Sequence, residues 1–195
     1  MMAPVVVLDL DEVLLDFGSA WQQCAERTLC RPVQAITDDY ALENRFGLSL
    51  REVSKVWDVF HKENYWERVS LYENAWDLVE SLEGMGCSLW AVTNVDSRHL
   101  NARVVSLQGM IPSGRIVTLG QEATAMDRLR VLRDLRAIAF LDDRPDNVNA
   151  AVGHVPNPVL IDRGYTDMPE PLAGVSVIDD LQDFAEVLLP LLEFA

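Results

Sequence analysis

Short apolar runs alternate with amphipathic segments of helical length along most of this chain. The strand-like runs lie at residues 5–8, 88–93, 115–119, 138–141 and 158–161, and helix-period segments lie at 75–83, 97–108, 123–135, 145–152 and 181–192. Strands that alternate with helices favour right-handed crossovers and therefore a parallel sheet. The pattern predicts an α/β fold built on a mostly parallel, five-stranded sheet.

Residues 17–72 break this alternation. Apolar residues recur there at helical spacing, and no strand signal rises above the background. One apolar series comprises Trp21, Cys24, Ala25 and Leu29, and a second comprises Val53, Val56, Trp57, Phe60 and Tyr65. We expect a small helical cap, residues 17–72, inserted after the first strand into a core formed by residues 1–16 and 73–195. An insertion at this point would lie over the sheet edge as a lid.

Composition narrows the classes of partner. The 195 residues suit one core domain with an inserted subdomain, and the formal net charge is −15. Such acidity argues against a nucleic-acid polymer, but it allows one small anionic substrate if a metal ion and a few arginines reverse the local field. With no apolar run of membrane-spanning length and no basic leader before a hydrophobic stretch, we expect a cytoplasmic protein that binds no membrane, as a monomer or a homodimer.

Cysteine and histidine residues give no sign of a disulfide framework or a zinc site. The three cysteines contain no CxxC pair, and the three histidines have no metal-ligand spacing; these residues are Cys24, Cys30, Cys87, His61, His99 and His154. A metal site in this chain would therefore be built from oxygen ligands.

Two aspartates follow the first strand. Asp9 and Asp11 come after the run Val5–Leu8, and alternation along an extended chain points both side chains to the same face at the strand's carboxyl end. Open α/β sheets carry their ligands at that end. Like charges this close repel, so a site keeps them when a cation or a proton is shared. The alternative is a strand that runs into a solvated acidic turn.

Polar residues also end the second and fourth strands. Thr93 and Asn94 follow one, and Asp142 and Asp143 follow the other. Alone, each pair is also typical of a helix N-terminus, where polar side chains cap the helix or favour its dipole. Together, carboxylates from two strand ends favour an oxygen-ligated Mg²⁺ that keeps waters and accepts a substrate phosphate oxygen.

This ordered set resembles the haloacid dehalogenase-like (HAD) superfamily in its phosphatase-type DxD form. The resemblance covers the core, whereas the insert matches only in position and helical character. It implies a doubly wound, Rossmann-like sheet and an aspartyl-phosphate intermediate on Asp9. It implies that Asp11 protonates the leaving oxygen and then activates water, and that Thr93 and the Asn94 backbone N–H bind the transferring phosphoryl group.

The resemblance also implies the cofactor, Mg²⁺, held by Asp9, the Asp11 backbone carbonyl, Asp142 and Asp143. An Asp rather than an apolar residue at position 11 favours phosphoryl transfer over dehalogenation, because the leaving group needs a proton.

The family's usual lysine is missing before the fourth strand. The only lysines, Lys55 and Lys62, lie in the insert; the cations between the third and fourth strands are Arg128, Arg130, Arg133 and Arg136. Counting from buried helix positions favours Arg128 as the substitute and as a phosphate contact. The alternatives are that a lysine from the insert reaches the site or that the motif is degenerate. A smaller departure is Glu12, where glycine is usual.

A weaker resemblance, to the 5′(3′)-deoxyribonucleotidase branch, implies that Phe17 stacks on a substrate base; alternatively Phe17 is part of the cap's own core. The leading hypothesis is a Mg²⁺-dependent phosphatase of a small phosphorylated metabolite, with nucleoside monophosphates among the candidates. The alternatives are a phosphomutase and a non-catalytic domain that binds phosphate or a partner.

Overall fold

The computed structural model describes residues 3–192, which contain a six-stranded sheet in the order β3-β2-β1-β4-β5-β6. The strands are β1 (Val5–Leu8), β2 (Ser88–Thr93), β3 (Ile116–Thr118), β4 (Ala139–Asp142), β5 (Asn157–Ile161) and β6 (Ser176–Ile178). Every neighbouring pair is parallel. The chain winds outward from β1 in one direction and from β4 in the other, which confirms the predicted doubly wound α/β fold. The winding reverses between β1 and β4, and such a switch point opens a crevice at the strands' carboxyl ends.

The predicted strand number, five, was wrong by one. The sixth strand, β6, has three residues and pairs with β5 at the edge of the sheet. Only Ile178 is buried there, while Val177 is exposed. An edge strand this short lacks the continuous apolar run that identifies buried parallel strands, so the hydrophobic pattern did not reveal it.

Eight helices are present within residues 3–192. They are α1 (Phe17–Leu29), α2 (Leu42–Arg45), α3 (Leu50–Lys62), α4 (Ala75–Gly84), α5 (Leu100–Ser106), α6 (Ala125–Asp134), α7 (Pro145–Ala151) and α8 (Leu181–Leu192). None of the helices in this range is long and apolar enough to span a bilayer.

Alternate residues of β1 pack into two apolar layers. Val6 and Leu8 belong to the layer that includes Leu78 of α4 and Phe184 of α8. Val7 belongs to the opposite layer, with residues of α6 and α7. Burial of both faces explains why the strands read as unbroken apolar runs.

Helices α1 to α3, with a 3-10 turn at Tyr65–Glu67, lie between β1 and α4, and we call residues 17–72 the cap. Helix α1 begins after Asp16, whose carboxylate accepts the Ser19 N–H at 3.0 Å. Helix α3 begins with a reciprocal capping box between Ser49 and Glu52. The chain returns to the core beside its point of departure, because Leu15 and Leu71 form an antiparallel bridge.

Candidate active site

Sheet register brings the acidic residues of β1 and β4 together. Leu8 pairs with Leu141, and the Asp9 N–H donates to the Leu141 carbonyl at 2.9 Å, so Asp9 and Asp142 end neighbouring strands side by side. Carboxylate oxygens of Asp9, Asp142 and Asp143 all lie within 4.8 Å of one another, and all three residues are buried. The structure therefore joins three of the predicted site residues at the switch point.

Arg128 supplies a buried cation at this point. Its Nη1 lies 2.7 Å from Asp9 Oδ1 and 2.9 Å from Asp142 Oδ2, and it donates to the Val92 carbonyl at 2.9 Å. Its Nη2 donates to Asn94 Oδ1, also at 2.9 Å. Burial lowers the pKa of Arg128, but the adjacent carboxylates together raise it by more than burial lowers it, so the net shift of the pKa is upward. The side chain thus stays charged and contacts the ends of β1, β2 and β4.

The lysines of the cap do not reach this place. Lys55 donates to the Thr28 carbonyl at 3.3 Å, and neither Lys55 nor Lys62 lines the cavity above Asp9. Helix α6, which carries Arg128, begins with a capping box between Thr124 and Asp127. Its next arginine, Arg130, is exposed and pairs with Asp127. Among these candidates, Arg128 is the cation beside Asp9.

The second strand ends in a hydroxyl without a partner. Thr93 Oγ1 is buried and makes no hydrogen bond among the described residues. A buried hydroxyl left unsatisfied costs free energy, which a bound acceptor such as a phosphate oxygen would recover. The Asn94 side chain is fixed on both sides, since its Nδ2 donates to the Ala123 carbonyl at 3.0 Å and its Oδ1 accepts from Arg128.

The three carboxylates fit a divalent cation by charge and by ligand type. When all are ionised, Arg128 leaves two negative charges in excess in a buried cluster of oxygen ligands. Burial raises the pKa of Asp142, and burial together with Asp142 and Asp9 raises the pKa of Asp143. The cluster is therefore poised to take up a proton or a cation.

Asp11 faces a cation that sequence reasoning missed. Arg103 of α5 is fully buried; its Nη2 pairs with Asp11 Oδ1, and its guanidinium lies over the Trp66 ring, 5.2 Å from the ring centre. Burial raises the pKa of Asp11. The charge of Arg103 lowers this pKa and the charge of Asp9 raises it, and the net shift is upward. The signal in the sequence is an arginine among small and apolar residues on a short helix, and this signal does not identify the arginine's partner.

Glu12 occupies the position where the resemblance leads us to expect glycine. Its backbone is left-handed, with φ 59°, a conformation glycine adopts without strain. Its carboxylate accepts the Gly18 N–H and the Tyr72 hydroxyl, each at 2.6 Å, and Arg163 Nε donates to its carbonyl at 2.7 Å. Glu12 thus ties together the two connections between core and cap, which compensates for its backbone conformation.

A cavity of about 750 Å³ separates this acidic cluster from the cap. Asp9, Asp11, Thr93, Asn94, Arg128 and Asp143 line its floor, and Asp142 lies outside the lining. On the cap side, Phe17 lines the cavity and also packs against both Trp57 and Trp66, each ring centre 5.8 Å away. The structure thus places Phe17 both in the cap's aromatic core and at the cavity wall.

Comparisons with known proteins identify the fold. No protein-family model matches the chain, and no curated protein sequence matches it significantly. Solved structures do match over nearly the whole chain. A HAD family hydrolase from Deinococcus radiodurans R1, with bound phosphate and sodium, is 13% identical with a TM-score of 0.63, covering 97% of both chains.

Two further matches carry different activities in their descriptions. A predicted phosphoglycolate phosphatase from Haemophilus somnus 129pt is 16% identical, with a TM-score of 0.62 over 96% of this chain and 98% of that one. A dehalogenase is 18% identical, with a TM-score of 0.61 over 95% and 97%. The chain therefore has the fold of the HAD family hydrolases, as its motifs predicted.

Proposed function

We propose that this protein is a Mg²⁺-dependent phosphatase that hydrolyses a small phosphorylated metabolite through an aspartyl-phosphate on Asp9. The observation that carries this proposal is the arrangement at the cavity floor. Asp9 lies within 4.8 Å of Asp142 and Asp143, touches Arg128, and shares the floor with the unpartnered hydroxyl of Thr93. These groups match the needs of phosphoryl transfer: a nucleophile, positive charge and a donor to phosphate oxygens.

Each residue has a defined task in the two displacements. Arg128 holds Asp9 Oδ1 and so orients the carboxylate that attacks phosphorus. The bond from phosphorus to the ester oxygen breaks as the bond to Asp9 forms, and Asp11 gives the leaving oxygen its proton. Asp11 then takes a proton from water, which attacks phosphorus and releases inorganic phosphate and free Asp9. Mg²⁺, held by Asp9, Asp142 and Asp143, would cancel the repulsion between the carboxylate and the anionic phosphate.

Two features favour this function over its rivals. Arg128 places a buried charge beside Asp9 where the fold's usual lysine is missing, which supports a catalytic rather than a merely binding role. A carboxyl group at Asp11 can supply the proton that an alkoxide leaving group needs. Burial, the largest influence on Asp11, raises its pKa and so favours a proton-carrying acid. A halide leaving group would need no such donor.

Hydrolysis of an aryl phosphate tests the proposal. We expect the full chain to release phosphate in the presence of Mg²⁺, and Asp9→Asn, which is nearly isosteric, to lose at least about 1,000-fold in rate. Equal rates for the two proteins would overturn the proposal. Identification of the product separates hydrolysis from a mutase, which would yield an isomeric phosphate ester instead of inorganic phosphate.

A substrate panel tests the finer expectation for Phe17. Nucleoside monophosphates, deoxyribonucleotides among them, should be compared with sugar phosphates of similar size. Stacking on a base contributes about 1–3 kcal/mol, or roughly 5- to 150-fold in specificity. If deoxyribonucleotides are no better than sugar phosphates, Phe17 is not a base platform.

A further inference from the structure

The cap also contacts the core through a loop that is separate from the two chain connections between them. The Asp167 carboxylate accepts the backbone N–H groups of Tyr40 at 2.6 Å and Ala41 at 3.1 Å. The Thr166 N–H donates to the Asp38 carbonyl at 3.2 Å. These bonds join residues 38–41 of the cap, which we call the cap loop, to the segment that follows β5. They hold the cap over the cavity on the side of β4 and β5.

Tyr165 lies between this contact and the acidic cluster. Its ring meets Tyr40 edge-on, with ring centres 5.3 Å apart and an interplanar angle of 83°, and the Arg45 guanidinium lies 5.2 Å from its centre. Its hydroxyl donates to Asp143 Oδ2 at 2.8 Å. The cap therefore holds the ring, while the hydroxyl holds a carboxylate of the proposed cation site.

The two acids at the end of β4, Asp142 and Asp143, are held in place by different parts of the molecule. Asp142 is fixed by the core alone, because its oxygens accept from Asn147 Nδ2 at 3.0 and 3.1 Å and from the Arg144 N–H at 2.9 Å. Within residues 3–192, the only hydrogen bond to the Asp143 carboxylate comes from Tyr165. Loss of this one bond would release Asp143 but leave Asp142 in place.

We propose that Tyr165 is a positioning residue that holds Asp143 for the cation, and that it does so only while the cap loop is docked. This inference rests on the proposed function, since it takes Asp143 as a ligand of Mg²⁺. Hydrogen bonds to metal-ligating side chains set their orientation, and their loss lowers metal affinity about 10- to 100-fold. Linkage makes the coupling reciprocal, so Mg²⁺ also stabilises the docked cap loop.

Calorimetric titration of the full chain with Mg²⁺, without substrate, tests the proposal. Tyr165→Phe keeps the ring and removes the hydroxyl, and we expect it to weaken Mg²⁺ binding about tenfold or more. Asp167→Ala leaves the acidic cluster intact and removes only the exposed anchor of the cap loop; we expect weaker Mg²⁺ binding here too, by a smaller factor. Because both changes act through Asp143, the double variant should bind no more weakly than Tyr165→Phe alone.

Asp38→Ala is the matched control for charge. It removes an exposed carboxylate from the same contact, and within the described residues that side chain forms no hydrogen bond or salt bridge. We expect its Mg²⁺ affinity to equal that of the wild type. A decrease like that of Asp167→Ala would overturn the proposal, since loss of negative charge alone would then explain both results.

Hydrogen exchange gives a second readout that does not depend on activity. The amides of Tyr40 and Ala41 donate to Asp167, so their exchange reports whether the cap loop is docked. Mg²⁺ should slow their exchange in the wild type and not in Tyr165→Phe. Unchanged Mg²⁺ affinity in Tyr165→Phe or in Asp167→Ala would overturn this inference alone, whereas a wild-type chain that binds no Mg²⁺ would overturn the proposed function with it.

Discussion

Arg128→Met removes the buried cation at the switch point and leaves its carboxylate partners in place. Arg128 lies 2.7 Å from an oxygen of Asp9 and 2.9 Å from one of Asp142, with all three side chains almost fully buried. Removing one partner of a buried ion pair costs about 3–5 kcal/mol, because it leaves uncompensated buried charge. For a chain of this length, 1 kcal/mol shifts the melting midpoint by about 2–4 °C, so we expect a drop of about 6–20 °C at neutral pH.

The pH dependence of this loss has a defined sign. Burial raises the pKa of Asp142 and Arg128 opposes that rise, so without Arg128 the Asp142 carboxyl is protonated still more easily in the folded state than in the unfolded state. A group whose folded pKa is raised stabilises the fold below its unfolded pKa and loses that contribution as pH rises through its folded pKa. The difference in melting midpoint between Arg128→Met and the wild type should therefore be smaller at pH 5 than at pH 7.5. Mg²⁺ should reduce this difference at either pH.

Thermal unfolding followed by circular dichroism measures the effect. Arg130→Met is the matched control, because Arg130 lies on the same helix but is exposed, and its one salt bridge within residues 3–192 is to the partly exposed Asp127. We expect its midpoint to equal that of the wild type within error. Equal midpoints for Arg128→Met and Arg130→Met, or a larger gap at pH 5 than at pH 7.5, would refute the reasoning.

Three further predictions follow from the site and its surroundings. Asp11→Asn should lower kcat/KM by about 100-fold or more for an alkyl phosphate, which needs a proton on its leaving oxygen, and by much less for p-nitrophenyl phosphate; equal losses would contradict a role as proton donor. The stacked rings of His61 and His99, 5.1 Å apart, have pKa values lowered by burial, so their contribution to the unfolding free energy is lost as pH falls below about 6.5. Urea titrations should show His99→Gln losing less stability than the wild type between pH 7.5 and 5.5, and a constant difference would count against this. Glu12→Ala and Glu12→Gly both lose the hydrogen bonds to Tyr72 and Gly18, but glycine relieves the left-handed backbone, so the alanine variant should be less stable by about 1 kcal/mol; the reverse order would show that this backbone is not strained.

The parts of the site that follow from sequence are those set by strand register. Carboxylates at the carboxyl ends of two adjacent parallel strands in matching register lie side by side, so Asp9 and Asp142 could be paired once β1 and β4 were recognised as neighbours. The resemblance called for a cation before β4, and helical spacing then favoured Arg128 among the four arginines, because buried positions on an amphipathic helix fix which side faces the sheet. These predictions needed the motif resemblance, local periodicity and the topology of the fold.

Arg103 and Tyr165 could not be found in this way. Arg103 meets a partner 92 residues away, and its burial depends on a Trp66 ring that the cap supplies. Tyr165 lies in an irregular segment after β5, where no periodicity fixes the direction of a side chain. Both contacts arise from the docking of the cap on the core, and the hydrophobic pattern of either part carries no information about that docking.

An arginine in place of lysine changes what holds the switch point together. A lysine offers one nitrogen, which could lie between Asp9 and Asp142 as Arg128 Nη1 does. The guanidinium adds a second nitrogen in a rigid plane, and that nitrogen binds Asn94 at the end of β2. Arg128 therefore fixes the orientation of the Asn94 side chain together with that of Asp9. The geometry of the proposed site and the stability of the fold therefore depend on the same buried side chain, and the departure from the usual lysine gives the site a third anchored strand end.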